Sequence, residues 1–366
     1  MSVVNYLPPE LIEAILPLLP AKSLGRFKSV SKQWYSLISS PNFIKTLIVN
    51  CNKNNPNPNP THLILYPRSD DLCNVDSPNY SLDIKQLNTQ ITPVTLTAKS
   101  PILYQPWYST RVSCNGLLLV YRVSDVLCLV NPTTGKTLKL PNSGGFSYDA
   151  YGFGYDSLTD DYKVIFLYRM RVPGSDPDSH FVGVYSLRNN SSSVLPNSSY
   201  KHYRYHRQQG LLLNNILHWV VTNTRDFRVT IFAFNLANDE FHEIEIPYSF
   251  LSWRHLTNVF NFGEKLVAVL YDHRDFIELW VMEEYGVSKS LTKLCTIKNN
   301  IDICFEVFAQ VSNREILLGN NRANESFIYN LDERRCTSVT TVKGYPEGFM
   351  VSGTYVESLE SFERFG

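Results

Sequence analysis

From residue 62 onward the chain repeats itself, and the repeat constrains the fold more than any other feature. One element is a polar turn followed by a short apolar run. It occurs as Asn115-Gly116 before 117–120, Asp160-Asp161 before 164–167, Asn214-Asn215 before 216–221, Gly263-Glu264 before 266–270 and Asn313-Arg314 before 316–318. The other element ends on an aromatic or apolar residue followed by a small or polar one, and is marked by Ser81, Asn131, Ser186, Asn235, Val281 and Asn330. These markers are separated by 50, 55, 49, 46 and 49 residues. A fixed period of this kind means one supersecondary unit per repeat, each burying its apolar face against the next copy.

Paired strands at that period are similar to the blade of a kelch-type β-propeller, about 50 residues long, more than to the shorter WD repeat. About six units fit the length of 366 residues. The composition agrees: aromatics are 13%, with 22 Tyr, 20 Phe and 20 Pro against 4 Met, a mixture that favours strands and turns over long helices. Asn, Asp and Gly stand between the paired runs where hairpin loops need them, and the interval 169–180, with Pro173-Gly174, predicts one extended loop. Residues 354–359 alternate as a last strand able to pair with the first blade and close the ring, which removes an open sheet edge. A β-sandwich or a pair of stacked sheets is the competing arrangement.

Residues 1–46 follow a different pattern. Leu11, Ile12, Ile15, Leu16 and Leu19 fall on one helical face, Pro8 or Pro9 suits the first turn, and Pro17 should end or kink the helix. A second helical pattern starts at Ser31 as N-cap, carries Val30, Trp34, Leu37 and Ile38 on one side, and stops at Pro41. The segment holds Lys22, Arg26, Lys28, Lys32 and Lys45 against Glu10 and Glu13, a local charge of +3 in a chain that is neutral overall. A helical unit this small buries too little surface to be stable alone, so it needs a partner. Alternating Asn and Pro then mark 47–61 as a linker before a β domain over 62–360.

Whole-chain neutrality gives no reason to expect a nucleic-acid or membrane surface. Seven cysteines in an odd number without a CxxC pair fit neither a disulfide framework nor a zinc module. No basic segment leads into an apolar run at the start and no stretch of 18 apolar residues occurs, so the expected setting is cytoplasmic or nuclear. Gly152-Phe153-Gly154 lacks a third glycine and a following helix; no GxSxG, phosphate-binding GxxxxGK[ST] or HExxH motif occurs; His202 and His206 lie in a Tyr/Arg-rich stretch. No catalytic residue, metal or cofactor is assigned.

The N-terminal residues carry a resemblance. Leu7-Pro8-Pro9-Glu10-Leu11-Ile12, Ile15-Leu16, Leu19-Pro20-Ala21-Lys22-Ser23-Leu24, Arg26-Phe27, Val30-Ser31-Lys32, Trp34, Leu37-Ile38 and Pro41-Asn42-Phe43 resemble an F-box. Cys114-Asn115-Gly116-Leu117-Leu118, Asn131-Pro132-Thr133-Thr134, Gly152-Phe153-Gly154-Tyr155-Asp156, Asp160-Asp161-Tyr162-Lys163-Val164, Leu217-His218-Trp219 and Phe232-Ala233-Phe234-Asn235-Leu236 are similar to the F-box-associated, kelch-like domain of plant F-box proteins. The resemblance implies an α+β, mainly β chain: a small helical F-box followed by a propeller of about six blades. It implies a non-catalytic substrate receptor of a Skp–cullin–F-box ubiquitin ligase, in which the F-box docks on a Skp adaptor, and through it a cullin, while the β domain holds the protein to be ubiquitinated. By position, Leu7, Pro8, Leu11, Ile12, Ile15, Leu16, Leu24, Val30 and Trp34 match the adaptor-contacting or F-box core residues. Pro17-Leu18 and Gly25 depart from the family pattern, which implies a shorter or kinked docking helix.

On the target side, Tyr203, Arg204 and Tyr205 lie in a run of three Tyr interleaved with cations that suits a protein hot spot. Trp107-Tyr108 and the loop 169–180 are further candidates, since propellers bind through loops at one mouth. The alternative function is a propeller that binds or hydrolyses a glycan or other small ligand, which needs paired carboxylates converging on the channel. Single-stranded RNA binding through 200–207 lacks a basic domain to support it.

Overall fold

The computed structural model describes residues 8–54, 62–67, 80–83, 94–95, 112–121, 127–141, 148–169, 180–195, 203–205, 209–223, 225–247, 254–272, 276–298, 305–320, 325–338 and 349–362. The first stretch is helical. Pro9 opens α1 (Pro9–Ile15), where an absent N–H costs nothing, and Pro17 sits in the 3-10 turn Leu16–Leu18 that ends it. α2 (Ala21–Phe27), absent from the sequence reading as a separate helix, follows Pro20. Ser31 caps α3 (Lys32–Ser39), accepting from the Trp34 amide at 3.1 Å. Pro41 has a second role beyond stopping α3: it starts α4 (Pro41–Asn54). Residues 47–54, read as the first part of the linker, therefore finish a helix, since asparagine disfavours a helix only mildly and proline does not recur until Pro56. Residues 55–61 lie outside the described ones.

The β region opens with β1 (His62–Pro67), β2 (Tyr80–Asp83) and β3 (Val94–Thr95). Next come β4 (Ser113–Cys114), β5 (Leu117–Tyr121), β6 (Leu127–Asn131) and β7 (Lys136–Lys139). β8 (Tyr148–Asp156), β9 (Asp161–Arg169), β10 (His180–Ser186) and β11 (Ser191–Leu195) form the following sheet. β12 (Tyr203–Tyr205) and β13 (Leu211–Leu213) both pair with β14 (Ile216–Asn223), beside β15 (Val229–Asn235) and β16 (Glu240–Glu245). Two more meanders follow: β17 (Arg254–Phe262), β18 (Lys265–Asp272), β19 (Phe276–Met282) and β20 (Leu291–Lys298), then β21 (Phe305–Ser312), β22 (Glu315–Asn320), β23 (Glu325–Asn330) and β24 (Arg335–Ser338). β25 (Phe349–Tyr355) pairs antiparallel with β1, His62 opposite Tyr355.

Among the described residues these strands make six antiparallel sheets, arranged as a β-propeller. The expectation of about six like blades is corrected in one respect. Five sheets are blades of one continuous stretch each, whereas the remaining sheet, β25-β1-β2-β3, is a composite of the two ends of the β region. Its inner strand stops at Tyr355, short of the strand expected over 354–359, because residues 356–362 leave the sheet for contacts described below. First strands touch in succession, β4 with β8, β8 with β13, β13 with β17, β17 with β21, β21 with β25, and β25 with β4.

The repeat markers all fall on the third strand of a sheet, with Ser81 on β2 and Val281 on β19. Their chemistry explains the period. The side-chain oxygen of Asn131 accepts from the Thr133 amide at 2.8 Å, that of Asn235 from Ala237 at 2.9 Å and that of Asn330 from Asp332 at 3.0 Å, so one residue type folds the third-to-fourth turn in three blades. First-to-second turns are short: Asn115 and Gly116 have φ of 51° and 80°, and Asn214 and Asn215 of 50° and 64°, the left-handed pairs that two-residue hairpins require. Apolar faces interlock between neighbouring sheets; Trp219, fully buried, packs with Leu217, Phe232 and Phe234 on its own sheet and with Ile165 and Leu167 of the preceding one.

Alternation of turns gives the propeller two distinct ends. First-to-second and third-to-fourth turns lie at one end, and second-to-third hairpins at the other, because successive strands run antiparallel.

Candidate functional site

The helical module divides its apolar residues in two. Leu16, Leu24 and Ile38 are fully buried with Phe43 and Leu47, and Ile12, Leu37 and Trp34 pack around them, the Trp34 ring edge-on to Phe27 at 5.5 Å. Leu11 and Ile15 are 48% and 46% exposed, Leu18 67%, Val30 61% and Tyr35 58%. The sequence-derived set thus separates: Leu16 and Leu24 build the core, Ile12 and Trp34 are half-buried, and Leu11, Ile15 and Val30 face solvent with the exposed Pro8. Leu7 lies outside the described residues. Leu18 and Tyr35 were missed as surface residues; Leu18 follows Leu11 by seven and Ile15 by three, a helical spacing that Pro17 masked.

The module sits on the turn end of the propeller. Lys45 Nζ reaches Asp160 Oδ2 in the β8–β9 turn at 2.7 Å, and Lys22 Nζ reaches Glu357 Oε1 at 2.6 Å. Residues 356–362 lie between the two bodies. Leu359 completes the helical core, while Phe362 enters the core shared by the β4–β7 and β8–β11 sheets. Asn131 Nδ2 donates to the carbonyls of Ser358 and Glu360 at 3.1 and 2.8 Å, and the Ser358 amide donates to Thr133 Oγ1 at 3.1 Å. Gly116, at φ 80°, lies directly beneath: a Cβ there would stand 2.3 Å from Ser358 Cβ and 2.6 Å from the Val356 carbonyl. The buried Glu360 carboxylate accepts from the Tyr162 hydroxyl at 3.1 Å, and burial pushes the neighbouring Cys114 thiol up to about 12, which leaves it unreactive.

The opposite end carries one of the other sequence candidates. Tyr203–Tyr205 form β12, which pairs with the last residues of β14, Tyr203 opposite Asn223, where that strand enters its hairpin. The loop over 170–179 joins Arg169 to His180, which pair across β9 and β10 at the same end; the loop itself, with Trp107 and Tyr108, lies outside the described residues. At the 223–228 hairpin Phe227 is 78% exposed with φ of 57°, an arrangement that costs about 1–3 kcal/mol for a bulky side chain. Backbone bonds hold it there, Phe227 N to Asn223 O and Asn223 N to Arg228 O, both 2.8 Å.

Buried titratable groups among the described residues serve the framework. Asp161 accepts from Ser186 Oγ at 2.5 Å and the Arg188 amide at 2.8 Å, and Glu278 takes Trp280 Nε1 at 2.9 Å and Lys293 Nζ at 2.5 Å. Asp156 pairs with Lys163, whose Nζ also donates to Leu236 O at 2.5 Å across the next sheet. Burial pushes the His218 imidazole down to about 4; since the Leu211 carbonyl 3.2 Å from Nδ1 can only accept, Nδ1 bears the proton and Nε2 accepts from the Tyr285 hydroxyl at 2.7 Å. No group of three His, Cys, Asp or Glu residues placed to hold a metal occurs among the described residues.

A short helical module with an exposed apolar strip, set on one end of a β-propeller, defines a binding protein of two ends. Comparison with known families gives the class: residues 65–362 match the F-box associated beta propeller domain and residues 5–46 the F-box domain. The chain belongs to the F-box proteins that carry this propeller. Similar proteins include the F-box protein CPR1 of Arabidopsis thaliana, 27% identical over 80% of this chain and 73% of its own length. The F-box/kelch-repeat protein At3g23880 of the same plant is 28% identical over 81% of each. Among solved structures, TolB from Acinetobacter baumannii aligns with a TM-score of 0.46 at 11% identity, covering 81% of this chain and 68% of its own, too distant to bear on function.

Proposed function

We propose that this protein is the substrate-recognition subunit of a Skp–cullin–F-box ubiquitin ligase, acting in the cytoplasm or nucleus without catalysis of its own. The observation that carries the reading is the apolar strip of Leu11, Ile15 and Leu18 with Val30 and Tyr35, exposed on a module whose family implies a Skp-type adaptor. An interface core wants apolar and aromatic side chains of this kind. The cullin reaches the protein through that adaptor. The exposed Pro8 extends the adaptor surface, Leu7 is assigned to it by its position in the F-box alone, and Leu16, Leu24, Ile12 and Trp34 support it from within.

Capture of the target belongs to the end facing away from the F-box. Phe227 is an exposed aromatic held by its own backbone bonds, so little entropy is lost when a partner covers it, and Arg225 beside it is exposed. Tyr203, Arg204 and Tyr205 adjoin that hairpin through β12; Trp107, Tyr108 and the interval 169–180 are kept as target-binding candidates on the ground of sequence alone. The glycan-hydrolase alternative is not favoured, since each buried carboxylate among the described residues is committed to a structural partner.

The test is the full chain carrying both Leu11→Asp and Ile15→Asp. Both side chains are exposed, so folding should persist, while burying two unpaired charges should weaken binding of a purified Skp-type adaptor by about a hundredfold or more. In cells the variant should still bind its target yet leave it undegraded, because tethering to the ligase supplies the local concentration for transfer. Unchanged adaptor binding overturns the reading.

A further inference from the structure

The F-box helices bury a small core, and one of its members comes from the far end of the chain. Leu359 is 5% exposed among Leu16, Leu24, Ile38, Phe43 and Leu47, more than 300 residues away in sequence. Its neighbours in the strap are fixed to the propeller. Glu360, 0% exposed, is held by Tyr162; the Ser358 and Glu360 carbonyls are held by the one side chain of Asn131; Phe362 is 7% exposed between two sheets. Glu357 then faces back to Lys22 on α2 at 2.6 Å. Alternate residues of one extended segment thus point into two bodies, and each body lacks part of its core without it.

We infer that residues 356–362 are part of the adaptor-binding module: Leu359 completes the F-box fold and, with Glu357, Glu360 and Asn131, fixes the F-box on the turn end of the propeller. The Leu11–Ile15 strip and the Phe227 hairpin are then held at a set separation, and Leu359, Glu357 and Asn131 are positioning residues for whatever target the far end presents. The consequence for ubiquitin transfer rests on the receptor reading above; the seating of the F-box does not. A rigid receptor selects which lysines of a bound target meet the transferred ubiquitin, since effective concentration falls wherever the geometry forbids contact.

The experiment uses the full chain in three forms, wild type, Leu359→Asp and Leu359→Met, with two readouts that need no adaptor and one that does. A zero-length carbodiimide should join Lys22 to Glu357 and Lys45 to Asp160 in wild type, pairs 2.6 and 2.7 Å apart. Hydrogen exchange should rise about tenfold or more across residues 21–47 in Leu359→Asp, with β9 and β14 unchanged, and both cross-links should fall. Leu359→Met should restore both, as a volume-conserving apolar swap does. Affinity for a purified Skp-type adaptor should fall at least tenfold in Leu359→Asp and recover in Leu359→Met, although neither substitution lies within residues 1–46. Unaltered exchange in the helices, or absence of both links in wild type, overturns the inference. Helices that loosen as described in a protein whose wild type binds no Skp-type adaptor would uphold the seating and overturn the receptor reading instead.

Discussion

The propeller and the helical module reach their cores by opposite routes. Each of the five continuous blades is assembled from neighbours in sequence, and in three of them one turn residue, repeated as Asn131, Asn235 and Asn330, folds the same corner. The helical module has three helices and a 3-10 turn within residues 9–39, a fourth helix from Pro41, and still borrows Leu359 from the other end of the chain. Repetition lets a blade be stable on local pairing plus two flanking sheets. A lone module of this size has no such neighbours, and the surface it cannot bury is divided between the strap on one side and exposed apolar residues on the other.

The contrast can be broken hardest in the propeller. Trp219→Ala removes a fully buried ring packed between two sheets and should cost about 4 kcal/mol, read as a fall in the denaturant midpoint. Because β14 and β9 share that core, hydrogen exchange should rise in both blades, while the F-box helices change less; an equal rise in the helices would mean that the two regions unfold as one unit.

Acid should separate the regions next. His218 titrates at 6.5 when unfolded and near 4 in place, so stability is whole above about pH 6.5 and falls as pH drops toward 4, where the unfolded chain binds a proton that the folded one refuses. The loss amounts to about 3 kcal/mol at 1.36 kcal/mol per unit. His218→Gln should lack that part of the slope, whatever its stability at pH 7; parallel wild-type and variant curves between pH 6.5 and 4 would refute it.

A smaller effect lies at the seam. Asn131→Asp keeps an acceptor for the Thr133 and Thr134 amides but loses both donations to the strap, and should cost about 2 kcal/mol with faster exchange at residues 358–360. The same change at Asn235, whose oxygen folds a turn away from the strap, should cost much less. The least effect is expected inside the module: Ser31→Ala removes the bond to the Trp34 amide and should cost about 1 kcal/mol, confined to α3.

Much of this organisation was legible before any coordinates. The fifty-residue period, the third-strand markers, the Ser31 cap and the end of α1 at Pro17 follow from side chains acting on backbone within four residues of themselves, which is information a sequence carries locally. α4 was hidden because asparagine-rich residues 50–54 disfavour a helix only slightly, and packing of Phe43, Ile44 and Leu47 decides the matter. The division of Leu11, Ile12, Ile15 and Leu16 between solvent and core was equally out of reach, since all four obey one apolar pattern and burial depends on what lies opposite. Part of what lies opposite, beside Leu24, Ile38, Phe43 and Leu47, is Leu359, brought back only when β25 pairs with β1 and the ring closes. The repeating units and their corners are local and can be read along the chain; which apolar residues the two ends bury in each other, and which they leave facing outward, depends on a contact between segments more than three hundred residues apart that exists only in the folded ring.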